Sequence, residues 1–451
     1  MKFIVFLLFC FLEILGYRYI YRYSFNHFFL YNIFIGLNSL IILYFLKVVN
    51  VKKNIIYIHT FMGWLIYISL GFIHAAYIAK LDSNSETFTT IYILFIVASL
   101  LLFLPIIYLK KNFLFSGFSS LESTIVHNRT ILFFVIVCVV FKIYEIYVAG
   151  GLINYIFASY GAKVESSFMT FFHLFEGIAN NVVVFVFYIL WNKNPKSLKF
   201  LCVLFFIYSM IMGAIGGSST SVLTPIIGIF VFAILASNNL KMRKKLKRYA
   251  IIGVALGVFI GILIRLNRQD NETFSFDGLG LAFDEIMESP TFDNVTNLSI
   301  ILEKVPPTYS MDQFIYPYIH FIPRTLFPWK PMELGRIIGY KYVGVTEDSM
   351  AAFIPSPIGD FYFDYGYIGI VLGMLFVSCF ITYIQEKLNA SSIQPLFKLV
   401  LLIGFATKML SFAGWYTGCF NSIVKMFIFI VLFLLVNKTV CKRIQFRKSY
   451  Y

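Results

Sequence analysis

Uninterrupted apolar segments of about 20 residues recur along this chain, and no other feature restricts its fold as strongly. A helix of that length crosses the hydrocarbon of a bilayer, whereas membrane-spanning strands give alternating segments of about ten residues. The composition agrees, because 59% of the 451 residues are hydrophobic and only 13% are charged. A soluble domain carries about 25% charged residues. The sequence therefore predicts an all-α polytopic membrane protein.

The apolar segments predict about twelve transmembrane helices. They lie near residues 3–16, 25–46, 55–79, 89–109, 131–149, 166–191, 198–215, 220–236, 250–265, 358–384, 396–413 and 419–436. Glu13 interrupts the first segment and no small-residue cleavage site follows it, so we interpret it as a short span or re-entrant anchor. The chain then divides into residues 1–265 with spans 1–9, a long loop at 266–357, and residues 358–451 with spans 10–12 and a basic tail.

A net charge of +15 could indicate a nucleic-acid partner, but the distribution of the charge indicates membrane topology instead. Basic residues concentrate in the short segments 47–54, 110–130, 192–199, 237–249 and 437–451, including KMRKKLKR at 241–248. Short cytoplasmic loops of membrane proteins carry such an excess of Lys and Arg. All five segments fall on one side if both termini are cytoplasmic, so we predict that orientation and no nucleic-acid partner.

The connection at residues 266–357 is much longer than the others, and this topology places it on the outer, extracytoplasmic face of the membrane. Long loops in compact proteins are usually functional. Residues 279–288 show a helical period that predicts a helix on the membrane surface. Residues 293–305 predict a second helix, with Asp293 as its N-cap and Pro306 as its stop. We interpret the loop as a small helical cap over the bundle.

The loop contains no motif for nucleotide binding or for hydrolysis. It has no P-loop, no dinucleotide fingerprint, no H-E-x-x-H and no G-x-S-x-G. No His/Cys cluster predicts a metal, and nothing predicts another cofactor. An enzyme that faces outward has no nucleotide supply, so its substrate must be activated inside and carried across the membrane. A lipid-linked phosphate meets that requirement.

Basic residues at both ends of the loop could bind such a phosphate. They are Arg265, Arg268, Arg324, Lys330 and Arg336. One guanidinium group can donate two parallel hydrogen bonds to a phosphate, and a diphosphate leaving group needs fixed positive charge nearby. Prolines at 323, 328 and 331 restrict the backbone around Arg324 and Lys330. The alternative is that these side chains reach lipid headgroups or pair with carboxylates of the loop.

Two carboxylates and one histidine are candidates for a general base. Asp360 and Asp364 are four residues apart at the start of the tenth span, which puts both on one helical face. Each could accept a proton from a sugar hydroxyl or pair with Arg324 or Arg336. We assign Asp364 the structural role and leave both roles open for Asp360. His320 is the other candidate base, with side-chain packing as its alternative role.

Two of these segments carry a family resemblance. The sequence IPRTLFPWKP at 322–331, followed by PSPIGDFYFDYGYIG at 355–369, resembles the Wzy-type polymerases of bacterial surface polysaccharides. Arg324 and Gly335, with ten residues between them, also match a pattern of outer loops in that family. The specific motifs cover residues 320–370, and elsewhere the resemblance extends only to the topology.

The resemblance implies a glycosyltransferase without metal or cofactor that joins repeat units carried on undecaprenyl diphosphate into O-antigen or capsule. The reaction would occur at the outer face of the bacterial cytoplasmic membrane and release undecaprenyl diphosphate. Arg324 and Arg336 would hold the diphosphate, and Asp360 would lie at the site where the family often has Glu. The implied partners are lipid-linked glycans, membrane lipid, a chain-length regulator and a flippase. The turn GGSSTS at 216–221 lacks the arginine that family members often carry there.

Two other functions fit the same composition. A flippase for lipid-linked oligosaccharides has similar span number and basicity, but it should show an internal duplication and charges that line a central cavity. We find no convincing repeat between the two halves, and the charged material concentrates in one loop, which favours catalysis. A ligase that transfers finished glycan to another acceptor uses the same chemistry, and the residues do not separate it from a polymerase.

Overall fold

The computed structural model describes residues 2–48, 51–78, 85–112, 128–148, 150–151, 200, 293–320, 322, 324, 326–344, 353–390, 395–410, 412 and 416–448. The regular elements among these residues are all helical. We number the α-helices α1 (Lys2–Tyr19), α2 (Phe25–Val48), α3 (Ile55–Tyr77), α4 (Ser85–Asn112), α5 (Asn128–Val148), α6 (Asn294–Lys304), α7 (Asp312–Ile319), α8 (Leu334–Ile338), α9 (Pro357–Ala390), α10 (Pro395–Leu410) and α11 (Tyr416–Lys448).

Within the described ranges, six helices are long and apolar enough to cross a membrane. They cover Phe25–Lys47, Ile55–Tyr77, Glu86–Leu109, Arg129–Val148, Pro357–Ala390 and Tyr416–Thr439. The prediction of an α-helical, multi-pass membrane protein is therefore confirmed. The first and eleventh predicted spans correspond to α1 and α10, which are helical but not among these six. The predicted spans between residues 166 and 265, and the predicted helix at 279–288, lie outside the described residues.

Polar side chains connect the apolar helices at a few buried points. The hydroxyl of Ser99 in α4 accepts hydrogen bonds from Asn38 Nδ2 of α2 at 3.1 Å and from Trp64 Nε1 of α3 at 2.9 Å. Such contacts hold helices together where lipid removes the hydrophobic drive for helix association. Aromatic rings fill the space around them, with Phe72 and Phe95 at a centroid distance of 5.7 Å.

Hydrogen bonds fix the direction of α9 in the bundle. Gln385 Oε1 accepts from the Ile56 backbone N–H at 2.9 Å, and Tyr57 donates to Glu386 at 3.0 Å. The C-terminal part of α9 thus lies beside the start of α3, so the two helices run in opposite directions. The end of α3, the start of α4 and the start of α9 consequently share one side of the bundle, which we call the loop face.

Helix α6 enters the bundle from the loop face. The Asn294 carboxamide contacts the carbonyl oxygen of Tyr67 at 3.5 Å, ten residues before the end of α3, or about 15 Å along the axis at 1.5 Å per residue. Gly71 leaves room for this contact, because a Cβ there would meet Asn294 and lie 2.7 Å from Val295. The predicted helix at 293–305 is confirmed, but it is inserted between spans rather than lying as a cap above them.

Asp293 precedes α6 as predicted, yet its side chain makes no capping hydrogen bond. Its carboxylate instead lies 2.6 Å from Nε2 of the buried His74 in α3. The residue chosen as an N-cap from the sequence therefore joins the inserted helix to a span.

Helix α9 is interrupted, where the sequence predicts a continuous span over 358–384. Tyr365 (φ −139°, ψ 26°) and Gly366 (φ 61°, ψ −145°) leave helical geometry, and only glycine adopts the latter conformation readily. Residues 357–364, the short arm, fold back against residues 367–390, the long arm. A Cβ at Gly369 would meet the carbonyl of Phe361, and one at Gly373 would meet its ring. Two glycines spaced by four residues thus form the surface on which the short arm packs.

Candidate functional site

The short arm positions α7 through a carboxylate. Asp364 Oδ1 accepts from the backbone N–H of Gln313 at 2.9 Å, and Oδ2 accepts from that of Phe314 at 2.8 Å. The first amides of a helix lack partners within the helix, and a carboxylate there also opposes the positive end of the helix dipole. Asp364 thus has a structural role, but its hydrogen-bond partners in the described part of the chain are backbone amides and not the predicted Arg324 or Arg336.

Gln313 joins α7 to the segment before α8. Its fully buried amide donates from Nε2 to the Met332 carbonyl at 2.9 Å and accepts at Oε1 from the Leu334 N–H at 2.8 Å. These two hydrogen bonds join α7 to the segment before α8 in the way that backbone hydrogen bonds join neighbouring strands, although neither segment is a strand. The segment that carries Arg336 is thereby held at a fixed position relative to α7.

The described residues between His320 and Pro331, the cationic loop, are closed by their own charged side chains. Lys330 Nζ donates to the carbonyls of His320 at 3.0 Å and Ile322 at 2.9 Å. Arg324 donates from Nη1 to the Lys330 carbonyl at 2.8 Å and from Nη2 to that of Pro331 at 3.2 Å. Carbonyls in an irregular segment need donors, and these two cations supply them.

Lys330 and Arg324 differ in whether their side chains are accessible to a ligand. Lys330 is buried, and burial, followed by the charges of Arg324 and Arg336, lowers its pKa. Arg324 and Arg336 are exposed. A guanidinium carries five N–H donors, and the bonds described use only two of those on Arg324. The lysine is therefore a structural element of the loop, and the arginines are the cations that can reach an anion.

Tyr316 and His320 lie among these charges. The Tyr316 hydroxyl is 2.9 Å from His320 Nδ1, and the two ring centroids are 5.2 Å apart. Burial raises the pKa of Tyr316, Glu333 raises it further, and Arg336 and Arg324 oppose the shift. Both arginines are therefore near enough to this hydroxyl to act on it electrostatically.

Asp360 lies on the short arm with its carboxyl group unsatisfied. It is only 1% exposed, and neither carboxylate oxygen has a hydrogen-bond partner within the described part of the chain. Glu333 and Asp364 are near enough to act on it electrostatically. An unpaired buried polar group costs free energy, so a native structure that keeps one calls for an explanation.

The structure brings together four of the predicted site residues. His320, Arg324 and Lys330 are joined by hydrogen bonds of the cationic loop, and Arg336 is near enough to act on Lys330 electrostatically. Asp360 is buried on the short arm, where Glu333 and Asp364 are the charged groups that act on it. Arg265 and Arg268 lie outside the described residues. The described part of the chain contains no group of three or more His, Cys, Asp or Glu side chains suited to a metal.

Sequence reasoning missed three residues that organise this region: Gln313, Tyr316 and Glu333. Tyr316 is four residues before His320, a spacing that places side chains on one helical face, so the motif YPYIH contained a usable signal. Gln313 carried none, because its contacts join segments about twenty residues apart in sequence. Glu333 carried none either, because the groups on which its charge acts, Tyr316 and Asp360, belong to other helices.

Comparison of the chain with known protein families, with curated proteins and with solved structures finds no match in any of the three. The class of the protein therefore follows from its own fold. It is an α-helical, multi-pass membrane protein with an inserted, charge-bearing segment on the loop face.

Proposed function

We propose that this protein is a Wzy-type polymerase, a glycosyltransferase that joins oligosaccharide repeat units carried on undecaprenyl diphosphate. In this proposal about twelve spans lie in a bacterial cytoplasmic membrane, with both termini in the cytoplasm and the loop face outside. The sugar hydroxyl of one unit attacks the anomeric carbon of the growing chain, and undecaprenyl diphosphate leaves. The product is a surface polysaccharide such as O-antigen or capsule.

The observation that carries the proposal is a pair of exposed guanidinium groups, Arg324 and Arg336, in a segment whose backbone is fixed by hydrogen bonds. Both are near enough to act electrostatically on Tyr316 and on Lys330. A departing diphosphate gains negative charge as its bond to the sugar breaks, and fixed cations stabilise that charge most where no reorganisation is needed. The bonds made by Lys330 and Gln313 supply such fixed positions.

Asp360 is the proton acceptor in this proposal. It lies on the short arm, and its oxygens have no competing hydrogen bond among the described residues. At 1% exposure it cannot touch a sugar hydroxyl in the present arrangement. Substrate binding must therefore part the short arm from the segment that carries Glu333 before Asp360 can act.

A test would use the purified protein in nanodiscs with a synthetic polyprenyl-diphosphate repeat unit, and would follow glycan length on a gel. We expect a ladder from the parent protein and a rate about 100-fold lower for Arg336→Gln, as for the loss of one charge-stabilising group. Lys341→Gln is the matched control, because it removes another exposed cation from the neighbouring turn. Equal activity of the two variants would contradict the assignment of Arg336.

The interruption of α9 favours a second candidate. Discontinuous helices whose ends face a substrate are typical of transporters, and α9 breaks at Tyr365 and Gly366. Sealed vesicles that contain a fluorescent lipid-linked oligosaccharide separate the two functions. Movement of the lipid across the membrane, with no ladder in the first assay, would indicate a flippase instead of a polymerase.

A further inference from the structure

The end of α7 that leads into the cationic loop lies beside a span and not above it. Helix α11 begins at the loop face, because the ring of Tyr416 at its start lies 4.7 Å from that of Phe361 on the short arm. Tyr318, near the end of α7, has its ring 6.3 Å from that of Phe420. Phe420 is four residues into α11, which is about one helical turn. The cationic loop therefore begins about one turn inside the bundle.

Helix α7 is apolar on the side that contacts the spans and on a second side that is exposed. Phe314 packs against Phe376 of α9 with a centroid distance of 4.8 Å. Met311, which directly precedes the helix, is 51% exposed, and Ile315 is 42% exposed. Their spacing of four residues places both on one side. An exposed apolar surface on a segment that packs beside spans indicates contact with lipid.

The cationic loop continues this surface in residues 326–329, which we call the apolar tip. Leu326 is 76% exposed and Trp329 is 77% exposed, and the ring of Phe327 lies 4.0 Å from that of Trp329. None of these four residues is charged. The next residue, Lys330, is buried and directs its ammonium group to backbone carbonyls at the base of the loop. The tip thus presents large apolar side chains without a charge among them.

We propose that the apolar tip is inserted into the bilayer leaflet at the loop face, at the boundary between headgroups and acyl chains. Tryptophan is enriched at that level, because its ring is apolar while its N–H can still reach a polar partner. The backbone of the tip suits the same place. Pro328 has no N–H, and the N–H of Lys330 donates to the Phe327 carbonyl at 3.1 Å. Fewer backbone donors are left without a partner where water is scarce.

The cation at the base of the tip fits this position. Arg324 is exposed, and it closes the turn by donating to the carbonyls of Lys330 and Pro331. A tip at the acyl boundary puts this base at the level of the headgroups, where the lipid phosphates lie and where arginine side chains reach them. The diphosphate of a lipid-linked substrate lies at the same level. That last step rests on the proposed function, whereas insertion of the tip does not.

The experiment is quenching of tryptophan fluorescence in the full chain, in nanodiscs whose lipid is brominated either near the headgroup end of the acyl chain or near its methyl end. The chain has four tryptophans, and the difference between the parent and Trp329→Phe gives the emission of Trp329. We expect the first lipid to quench this emission more than the second, and iodide in the water to quench it little. Trp64→Phe is the matched control, because Trp64 is fully buried and its emission should respond weakly to every quencher.

A second variant tests whether the apolar side chains hold the tip in the bilayer. Leu326→Glu places a charge where charge is costly, so we expect Trp329 to lose most of its quenching by bromine and to become accessible to iodide. Leu326→Met keeps an apolar side chain and should leave both results unchanged. Unchanged quenching in a folded Leu326→Glu would overturn the anchoring role. The measurement on the parent decides the insertion even if this variant fails to fold.

Three results in the parent would overturn the insertion. Quenching of Trp329 by iodide and not by bromine would place the tip in water. Quenching by neither would mean that protein covers it. Relief of the bromine quenching by a single equivalent of polyprenyl diphosphate would assign the tip to the chain of that lipid instead of the bilayer.

The failure of the proposed function looks different from these results. The parent would then make no glycan ladder, while the quenching of Trp329 by the brominated lipid would remain. A ladder from a parent whose Trp329 is not quenched by bromine would instead leave the polymerase standing and remove the anchor.

Discussion

The cationic loop and the short arm of α9 use their charged side chains in opposite ways. In the loop, Lys330 and Arg324 each donate to two carbonyls of the same segment. On the short arm, Asp364 receives two backbone amides, while Asp360, one turn earlier, is buried with no hydrogen bond among the described residues.

The comparison distinguishes ionisable side chains that complete backbone hydrogen bonds, Lys330 and Asp364, from one that makes no hydrogen bond among the described residues, Asp360. Lys330 and Asp364 complete backbone hydrogen bonding in segments that lack regular partners, so removing either one leaves unsatisfied groups behind. Asp360 completes no hydrogen bond among the described residues. Sites that break a local rule without local gain are where function is expected.

The largest expected effect comes from the surface on which the short arm packs. Gly369→Ala places a Cβ against the backbone carbonyl of Phe361, which cannot rotate away, and we expect a loss of about 3 kcal/mol in the free energy of unfolding. Gly36→Ala in α2 is the control, because nothing lies within 4 Å of a Cβ there and alanine favours the helix. Denaturation in mixed micelles measures both, and equal stabilities would contradict the folded-back arm.

The two aspartates of the arm should respond differently to the same substitution. Asp364→Ala leaves the N–H groups of Gln313 and Phe314 without their acceptor, and we expect a loss of about 3 kcal/mol in unfolding free energy. Asp360→Ala removes a group without a bond and should cost less than about 1 kcal/mol, while it abolishes glycan synthesis. The same denaturation assay ranks them. A larger loss for Asp360→Ala would mean that the carboxyl has a structural partner.

The loop has a corresponding structural charge. Lys330→Met keeps most of the apolar side chain but removes the donor to His320 and Ile322, and we expect a loss of about 2 kcal/mol, with faster hydrogen exchange confined to the cationic loop. Lys341→Met is the control, since that lysine is exposed. Unchanged exchange in Lys330→Met would show that the two carbonyls are satisfied in another way.

The smallest effect is a dependence on pH. Burial, with help from Arg324 and Arg336, lowers the pKa of Lys330 below its ordinary value of 10.5. The unfolded chain therefore binds the proton more tightly, and the stability contributed by this site rises with pH through the interval below 10.5. We expect the stability difference between parent and Lys330→Met to grow between neutral pH and about pH 10. A difference that shrinks over this range would contradict a buried ammonium.

Several features were predictable because their causes are local. Apolar runs predicted the spans, and the helix at 293–305 followed from the periodicity of Leu298 and Ile301 and from the prolines that end it. The basic residues of the loop and the two aspartates were found by residue type and spacing. Their partners were not, because Lys330 could be read as a phosphate ligand until its carbonyl contacts were known.

By itself the sequence determined that the chain is an α-helical membrane protein and that one long loop between spans carries candidate site residues. These conclusions depend on hydropathy and on helical period, which neighbouring residues define. The tertiary structure alone decided that α6 lies inside the bundle, that α9 folds back at Gly366, and that Asp364 is bonded while Asp360 is not. Each of these results depends on contacts between segments far apart in sequence, where shape and hydrogen-bond geometry choose the partner.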